Sequence, residues 1–429
     1  MAMKVEVMSK EVIKPASATP DHLRTIPLTL FDQFMPQTYI NSIFFYSITS
    51  DNSTVTQATF PHKLKISLSE ILTRFFPLAG RIEGTRIDCN DEGALFTEAR
   101  ADILLSDFLR TPDVVSLKQL IVNPFDYLDH GSWPLLHVKV TFFTTEAVAV
   151  AASVSHKIFD TASFIKFVRI WAATVKGCVD KVNPQFIASA FYPPADLSVE
   201  VPPLMPLRKK SITKRFVFRS SNIHKLKTRV ASEHVMNHTR VEAITALLYS
   251  AIKGSRSNES FTMTQSINLR PRLPSTLLPP DAMGNLLYSP LLNEDSESEI
   301  KITEMVSKLR KTKEELNEII MEETRGTEST ASKLRMIGER IAMEMLSSLS
   351  ESRAETNVYV MTSFCRMPFY EVDFGWGTPL WIASYVYEMS RLCILMDAKD
   401  GEGIEAWVTL PEEDMSAFEQ HQDLVAAEN

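Results

Sequence analysis

The sequence predicts an α/β protein with two domains. Its 429 residues exceed the usual size of a single hydrophobic core, so we expect two domains of about 200 residues each. Stretches with the apolar runs of β-strands are interspersed with stretches whose apolar residues recur every three or four positions, as in amphipathic helices. Between residues 192 and 214, five prolines accompany the basic run Arg208-Lys209-Lys210, which is typical of a linker or crossover.

The first half begins with an entry segment, residues 12–46, in which we expect two strands. Gly177 is placed to end the last helix of this half. The predicted strands and helices of the first half are Tyr39 to Tyr46, a helix from Leu64 to Phe75, strands at Thr85 to Cys89, Ala94 to Ala99, His137 to Phe143 and Ala147 to Ser155, and a helix from Phe164 to Val175.

The second half mixes strands and helices in the same way and closes with a hairpin and a short helix after Pro411. Its predicted elements are a strand at Arg215 to Phe218, helices at Ser221 to Ala231 and Arg240 to Lys253, a strand at Phe261 to Leu269, helices at Ile302 to Ile320 and Ala331 to Leu349, and strands at Asn357 to Phe364, Leu392 to Asp397 and Ile404 to Leu410.

Composition excludes several classes of function. A net charge of -8 argues against nucleic-acid binding, which takes a basic surface. No run approaches the roughly 18 apolar residues that a membrane span needs, and residues 1–14 lack the apolar block of a secretory signal. The four cysteines form no Cys-x-x-Cys pair, so we expect no metal site, no disulfide framework and a cytoplasmic location.

His156 is the first candidate for chemistry. The nine residues from Ala147 to Ser155 are small or β-branched and nearly all apolar, which predicts a strand buried on both faces. The helical spacing starts after Asp160, so His156 lies in a strand-to-helix turn, where a rigid scaffold can present a side chain to a cleft. Imidazole has an unperturbed pKa of about 6.5, which suits proton abstraction near neutrality. We therefore interpret His156 as a general base in acyl transfer.

Asp160 has two interpretations. It precedes Thr161 at the first turn of a helix, so its carboxylate can cap free N–H groups, and a catalytic role is the alternative. His156 and Asp160 could also be metal ligands. However, zinc usually needs three protein ligands, and no other histidine stands nearby with helical spacing.

Motifs for an activated nucleophile or a phosphate loop are missing, which favours direct transfer in a ternary complex over a covalent acyl-enzyme. The glycines of Gly375-Trp376-Gly377 permit unusual backbone angles in a tight loop, with Trp376 packed and donating its indole N–H to a partner. Arg270 follows a predicted strand and either pairs with a buried carboxylate or lies on the surface. The run from Arg208 to Lys214 either contacts phosphates or is a solvated basic loop.

Taken together, the motifs resemble those of a known family. His156-Lys157-Ile158-Phe159-Asp160 and Asp373-Phe374-Gly375-Trp376-Gly377, about 200 residues apart, are similar to the two signature motifs of the BAHD acyltransferases, coenzyme A dependent enzymes of plant specialised metabolism. Further matches are Phe75 to Arg81, Asn268-Leu269-Arg270, Met283-Gly284-Asn285 and Glu405-Ala406-Trp407-Val408. Cys365-Arg366 followed by Phe369-Tyr370 resembles the branch of alkaloid O-acetyltransferases that contains vinorine synthase.

The resemblance implies two chloramphenicol-acetyltransferase-like domains, each a mixed β-sheet with flanking helices. The implied boundaries are residues 1–196 for the first domain, 197–211 for a crossover loop and 212–429 for the second, with part of about 370–397 packing on the first domain. A channel between the domains would admit the thioester from one face and the alcohol from the other, with His156 midway.

The resemblance also implies roles for other residues. Asp160 would point away from the substrate and pair with Arg270, and the Asp373-to-Gly377 loop, including Gly375, would be structural. Trp376 as an oxyanion donor is the alternative for that loop. The residues that we expect to bind CoA are Lys214, Thr239 and Arg240.

The implied activity is transfer of an acyl group, acetyl above all, from acyl-CoA to a hydroxyl of a plant specialised metabolite such as an alkaloid or terpenoid. Alternatives on the same fold are an amine acceptor or a benzoyl, tigloyl or hydroxycinnamoyl donor, and a non-catalytic binding protein is an alternative of another class. We expect a monomer without a permanently bound cofactor, whose partners are acyl-CoA and a small-molecule alcohol, with neither nucleic acid nor membrane.

Overall fold

The computed structural model describes residues 3–35, 38–48, 59–122, 133–144, 147–178, 182–192, 210–231, 237–255, 261–294, 301–351, 357–384 and 389–428. Of the expected crossover at 197–211, only Lys210 and Ser211 lie within the described residues. Arg208, Lys209 and all five prolines lie outside them. None of the described helices has both the length and the apolar character to cross a membrane.

Seventeen strands are present in the described part of the chain, many of them short. They are β1 Val5–Ile13, β2 Thr25–Pro27, β3 Tyr39–Ser47, β4 Arg81–Glu83, β5 Arg86–Asp88, β6 Ala94–Ala101, β7 Leu136–Phe142, β8 Ala147–Ser155, β9 Ser211–Phe218, β10 Phe261–Gln265, β11 Ile267–Asn268, β12 Leu287–Tyr288, β13 Leu291–Glu294, β14 Asn357–Ser363, β15 Trp381–Ser384, β16 Leu392–Asp397 and β17 Ile404–Pro411.

The described α-helices flank these strands. They are α1 Leu30–Phe34, α2 Phe60–Arg74, α3 Leu105–Arg110, α4 Val114–Leu120, α5 Thr161–Val175, α6 Ala188–Phe191, α7 Ser220–Val230, α8 Arg240–Ser255, α9 Ile302–Thr324, α10 Thr330–Glu351, α11 Glu412–Glu419 and α12 Gln422–Glu428.

Two mixed sheets of six strands form the framework. The first has the order β1-β6-β7-β8-β3-β15, and the second has the order β13-β10-β14-β16-β17-β9. In the first sheet β6 and β7 are parallel, whereas in the second β10, β14 and β16 are parallel. Each sheet carries helices and its own core, so the predicted α/β fold with two sheet-containing domains is confirmed.

β15 comes from the second half of the chain but belongs to the first sheet. It pairs antiparallel with β3, with Trp381 opposite Phe45 and Ser384 opposite Ser42. Leu380 N–H also donates to the carbonyl of Phe45 at 2.7 Å. The late segment therefore completes the edge of a sheet that is otherwise built from residues 5–155.

The strand and helix around His156 form from strong local patterns. All nine residues of β8 are buried, and β8 pairs with both β7 and β3. The apolar stripe of α5 packs on α2, where the Trp171 indole N–H donates to Ser67 Oγ at 3.1 Å. This packing fixes both elements that flank the turn containing His156.

Several elements differ from the sequence expectation, among them β1 and α1. β1 begins at Val5, earlier than the entry segment that we predicted. The sequence did not indicate it because β1 is an edge strand whose largely exposed side chains show no apolar alternation. α1 lies within the entry segment, for which we predicted strands and no helix. It has only five residues, too few for a helical period, and it starts with a capping box between Thr29 and Asp32.

Candidate active site

The backbone of His156 is held from two sides in the turn between β8 and α5. Its N–H donates to the carbonyl of Thr38 at 2.9 Å. Its carbonyl accepts from Asn285 Nδ2 at 2.8 Å. The side chain is half-buried, so the turn presents a partly accessible imidazole from a backbone with little freedom.

Asp160 is the N-cap of α5. Its Oδ1 accepts from the backbone N–H of Ser163 at 2.8 Å, while Oδ2 accepts from Arg270 Nη1 at 2.5 Å and from the N–H of Leu286 at 3.1 Å. The carboxylate is almost completely buried, with 1% of the side chain exposed. Both oxygens are therefore engaged in holding the start of α5 against the second half of the chain.

Arg270 joins the two halves at this point. Besides its ion pair with Asp160, its Nη2 donates to Ser163 Oγ at 2.7 Å and to the carbonyl of Gly284 at 2.9 Å. Its Nε donates to the carbonyl of Ala282 at 3.2 Å. The planar guanidinium thus fixes the segment around residues 282–284 against the first turn of α5.

Burial is the main influence on the charge of His156. Removal from water lowers the pKa of His156 below its ordinary value of 6.5, although its own carbonyl, Asp160 and Asn285 act in the opposite direction. Desolvation disfavours the charged form of an imidazole. His156 is therefore neutral near pH 7, the state in which it can accept a proton.

His156 lines a cavity of about 690 Å³ between the two sheets. Residues of the first half line one side, and residues of β11, β14 and β16 line the other. The lining residues are Ile40, His156, Thr161, Ala162, Ser266, Asn268, Leu287, Val360, Thr362, Ser363, Phe364, Met367, Met389, Leu392 and Ile394. The cavity therefore leaves space beside the imidazole, bounded by both halves of the chain.

Asp373 lies at the other end of α5. Its Oδ2 accepts from Lys176 Nζ at 2.8 Å, and its Oδ1 accepts from the N–H groups of Gly375 and Gly377 at 2.7 and 2.9 Å. Both glycines have positive φ, 110° and 84°, which glycine adopts readily. Partial burial raises the pKa of Asp373, but Lys176 and the two N–H groups outweigh it and lower the pKa overall.

The position of Trp376 argues against the oxyanion alternative raised from the sequence, which stays a prediction for experiment. Its ring packs against Phe60 and lies 5.8 Å from the ring of Tyr46. Tyr39 of β3 pairs with Ser155, the residue before His156, and Tyr46 lies seven positions further along the strand. A strand rises about 3.3 Å per residue, so roughly 23 Å separate Tyr46 from the end of β3 near His156. The indole therefore lies at the end of β3 remote from His156.

The three residues expected to bind CoA do not line the cavity. Lys214 pairs with Glu419 at 2.6 Å, and Arg240 pairs with Asp397 at 3.0 Å. Thr239 forms a capping box at the start of α8, since its Oγ1 accepts from the N–H of Glu242 at 3.1 Å. Their contact with CoA stays a prediction.

Two residues beside His156 were given no role from the sequence. Asn285 Nδ2 donates to Asp32 Oδ1 at 2.8 Å as well as to the carbonyl of His156. Burial raises the pKa of Asp32 to about 6. The capping pattern of Thr29 and Asp32 could have indicated a helix start, but no local pattern links Asn285 to a residue 129 positions away.

The chain matches known proteins along nearly its whole length. The model of the transferase family matches residues 3–425. BAHD acyltransferase BIA1 of Arabidopsis thaliana is 44% identical, over 99% of this chain and 98% of that protein. Limonoid 7-O-acetyltransferase of Citrus sinensis is 32% identical, over 99% and 98%. The crystal structure of vinorine synthase has a TM-score of 0.82 at 30% identity, covering 99% of each chain.

The fold, the cavity between the sheets and these matches define the class of the protein, an acyltransferase that uses acyl-CoA as co-substrate. The chain belongs to the BAHD family, which confirms the resemblance inferred from its motifs.

Proposed function

We propose that this protein transfers an acetyl group from acetyl-CoA to a hydroxyl of a small plant metabolite, with His156 as the general base. One observation carries the proposal: a half-buried imidazole lines a cavity between two sheets while its backbone is fixed by Thr38 and Asn285. A fixed base beside a space for substrate meets the geometric requirement of general-base catalysis.

In the proposed reaction His156 takes the proton of the acceptor hydroxyl as that oxygen attacks the thioester carbonyl. The new C–O bond forms, the C–S bond breaks, and the proton passes from the imidazolium to the leaving thiolate. The products are an ester and free CoA, and the imidazole returns to its neutral form. General-base help contributes about 10²- to 10⁴-fold, and positioning in the ternary complex adds to it.

The relatives support the choice of donor and acceptor. The name of the Citrus sinensis relative specifies acetyl transfer to oxygen, and that protein shares 32% identity with this chain. We extend the same donor and acceptor classes to this protein. We also propose that it works in the cytoplasm as a monomer, with the Asp160–Arg270 pair and the Asp373 loop as structural support and with Lys214, Thr239 and Arg240 near CoA.

The proposal is tested by incubating the purified protein with each of four donors: acetyl-CoA, benzoyl-CoA, tigloyl-CoA and a hydroxycinnamoyl-CoA. The acceptors are panels of alcohols and amines, and the measurements are thiol release and product mass. We expect acetyl esters to dominate and His156→Ala to lose about 10²-fold or more of kcat while remaining folded. His62→Ala, which changes an exposed histidine, is the matched control. Near-normal kcat in the His156 variant would remove His156 from the mechanism, and exclusive amide products would overturn the choice of acceptor.

A further inference from the structure

A second cavity of about 580 Å³ lies beside the one that contains His156. We call it the apolar chamber, and its walls are Leu30, Phe31, Met35, Leu291, Met345 and Leu346, with Ala342, Tyr192, Thr264 and Ser289 completing the lining. The hydroxyl of Tyr192 donates to the carbonyl of Leu287 at 2.7 Å, so its polar atom is already bonded. The chamber therefore offers a surface for hydrocarbon.

The apolar chamber adjoins the His156 cavity at a pair of serines. Ser289 lines the chamber, Ser266 lines the His156 cavity, and Ser289 Oγ donates to Ser266 Oγ at 3.1 Å. Thr264, two residues before Ser266, lines the chamber as well. The two linings therefore meet at a hydrogen-bonded pair of small side chains.

Neither space offers a charged partner to a ligand. Among the described residues that line the two cavities, none is an aspartate, glutamate, lysine or arginine, and His156 is neutral near pH 7. An ion transferred from water to such surroundings loses its hydration without gaining a partner, which costs several kcal/mol. Both cavities therefore select against carboxylates and ammonium groups.

The chamber reaches the surface of the protein at α10. Leu346, which lines it, is 38% exposed. This is the side from which we expect a ligand to enter.

We propose that the apolar chamber binds the hydrocarbon skeleton of an uncharged alcohol, whose hydroxyl passes Ser266 and Ser289 to reach His156. This inference rests on the proposed acyl transfer and specifies its acceptor. The acceptor class is a neutral alcohol with a large apolar skeleton, as opposed to an acid or a protonated amine, and a fused-ring alcohol serves as the probe.

The first test compares a fused-ring alcohol with the same skeleton carrying a carboxylate or an amine away from the hydroxyl. We expect kcat/KM for the neutral alcohol to exceed that for either charged analogue by at least about tenfold, equivalent to about 1.4 kcal/mol. Equal turnover of the charged analogues would overturn the proposal. This comparison uses the wild-type protein and does not depend on whether a variant folds.

The second test fills the chamber. Ala342→Trp places a large ring in the space, whereas Met343→Trp changes the next residue of α10, which is 70% exposed and does not line the chamber. We expect Ala342→Trp to raise KM for the fused-ring alcohol about tenfold or more and to leave KM for acetyl-CoA and turnover of cyclohexanol unchanged, with no effect of Met343→Trp. Equal losses for large and small alcohols would contradict the assignment.

A binding measurement separates this inference from the proposed reaction. The fused-ring alcohol should raise the melting temperature of wild type and His156→Ala but not that of Ala342→Trp. If this shift is seen without acyl transfer, the reaction is wrong and the chamber is right. If acyl transfer proceeds without the shift or the size selectivity, the chamber assignment is wrong.

Discussion

Asp160 and Asp373 lie at opposite ends of the same helix. Asp160 caps the N-terminus of α5, and Asp373 pairs with Lys176, the C-cap residue of α5. The helix has 15 residues, so about 22 Å separate its ends. The two signature motifs therefore contact opposite ends of α5, and His156 lies at the N-terminal end.

The pH dependence of turnover reports the ionisation of His156. Because burial lowers its pKa below 6.5, we expect kcat/KM to rise with pH through a midpoint below 6.5 and then to level off. The unprotonated base is the active form, so activity is lost as pH falls. Residual activity of His156→Ala should lack this rising limb, and a midpoint above 7 would contradict a neutral resting imidazole.

Loss of Arg270 leaves Asp160 buried without its cation. We expect Arg270→Ala to lower the free energy of unfolding by about 3–5 kcal/mol and to reduce kcat, measured by urea denaturation and thiol release. Arg270→Lys keeps the charge but loses the planar fork, so its loss should be intermediate. The double variant Asp160→Ala and Arg270→Ala should lower the free energy of unfolding by less than the sum of the two single variants. Additive losses would mean that the pair is not coupled.

The remote loop should influence stability more than chemistry. Asp373→Ala removes the acceptor of three donors, and we expect a loss of about 1–3 kcal/mol in the free energy of unfolding with near-normal kcat at a temperature where the variant is folded.

Trp376→Phe tests whether the indole N–H of the same loop takes part in catalysis. Removal of an oxyanion donor costs about 10²- to 10³-fold in kcat, and we expect a far smaller change here. Because the indole N–H has no hydrogen-bond partner among the described residues, the substitution removes no hydrogen bond, and any loss of stability should come from the smaller ring against Phe60. A drop in kcat of the oxyanion size, at unchanged stability, would restore the catalytic alternative.

Asn285 should act as a positioning residue for His156. Asn285→Ala removes the donor to the His156 carbonyl, and we expect kcat to fall by up to about 10²-fold while KM for acetyl-CoA stays close to normal. Asn285→Asp places a carboxylate against the His156 carbonyl and the Asp32 carboxylate, so it should lower kcat further. A rise in KM without a change in kcat would point to substrate binding instead.

Asp32 should make stability depend on pH in mild acid. Its folded pKa of about 6 lies above the ordinary 3.8, so the folded state holds the proton more tightly and stability falls as pH rises from about 4 to 6. The rise in pKa corresponds to about 3 kcal/mol. Relative to wild type, Asp32→Asn should gain about that much between pH 4 and 7 in urea denaturation, and a pH-independent difference would exclude ionisation of Asp32 as the cause.

Local patterns predicted the elements around His156, because β8 is continuously apolar and α5 has a regular apolar stripe, whereas the family followed from the resemblance of the motifs. The surroundings of His156 depend on contacts between distant segments. Arg270 lies 110 positions from Asp160, and its pairing followed only from the family resemblance. The contact between Asn285 and His156 and the apolar chamber had no local signal, since their residues come from separate segments whose approach depends on the completed fold.

The position of β15 has a consequence for how this protein is made. During synthesis, β3 has no neighbour on its outer edge until residues 381–384 have left the ribosome. Until then the nascent chain carries an open strand with unsatisfied amides and carbonyls, the kind of edge that invites aggregation. Cutting the chain between its two halves would make that exposure permanent, so the lobes are not interchangeable modules that evolution could separate or shuffle freely.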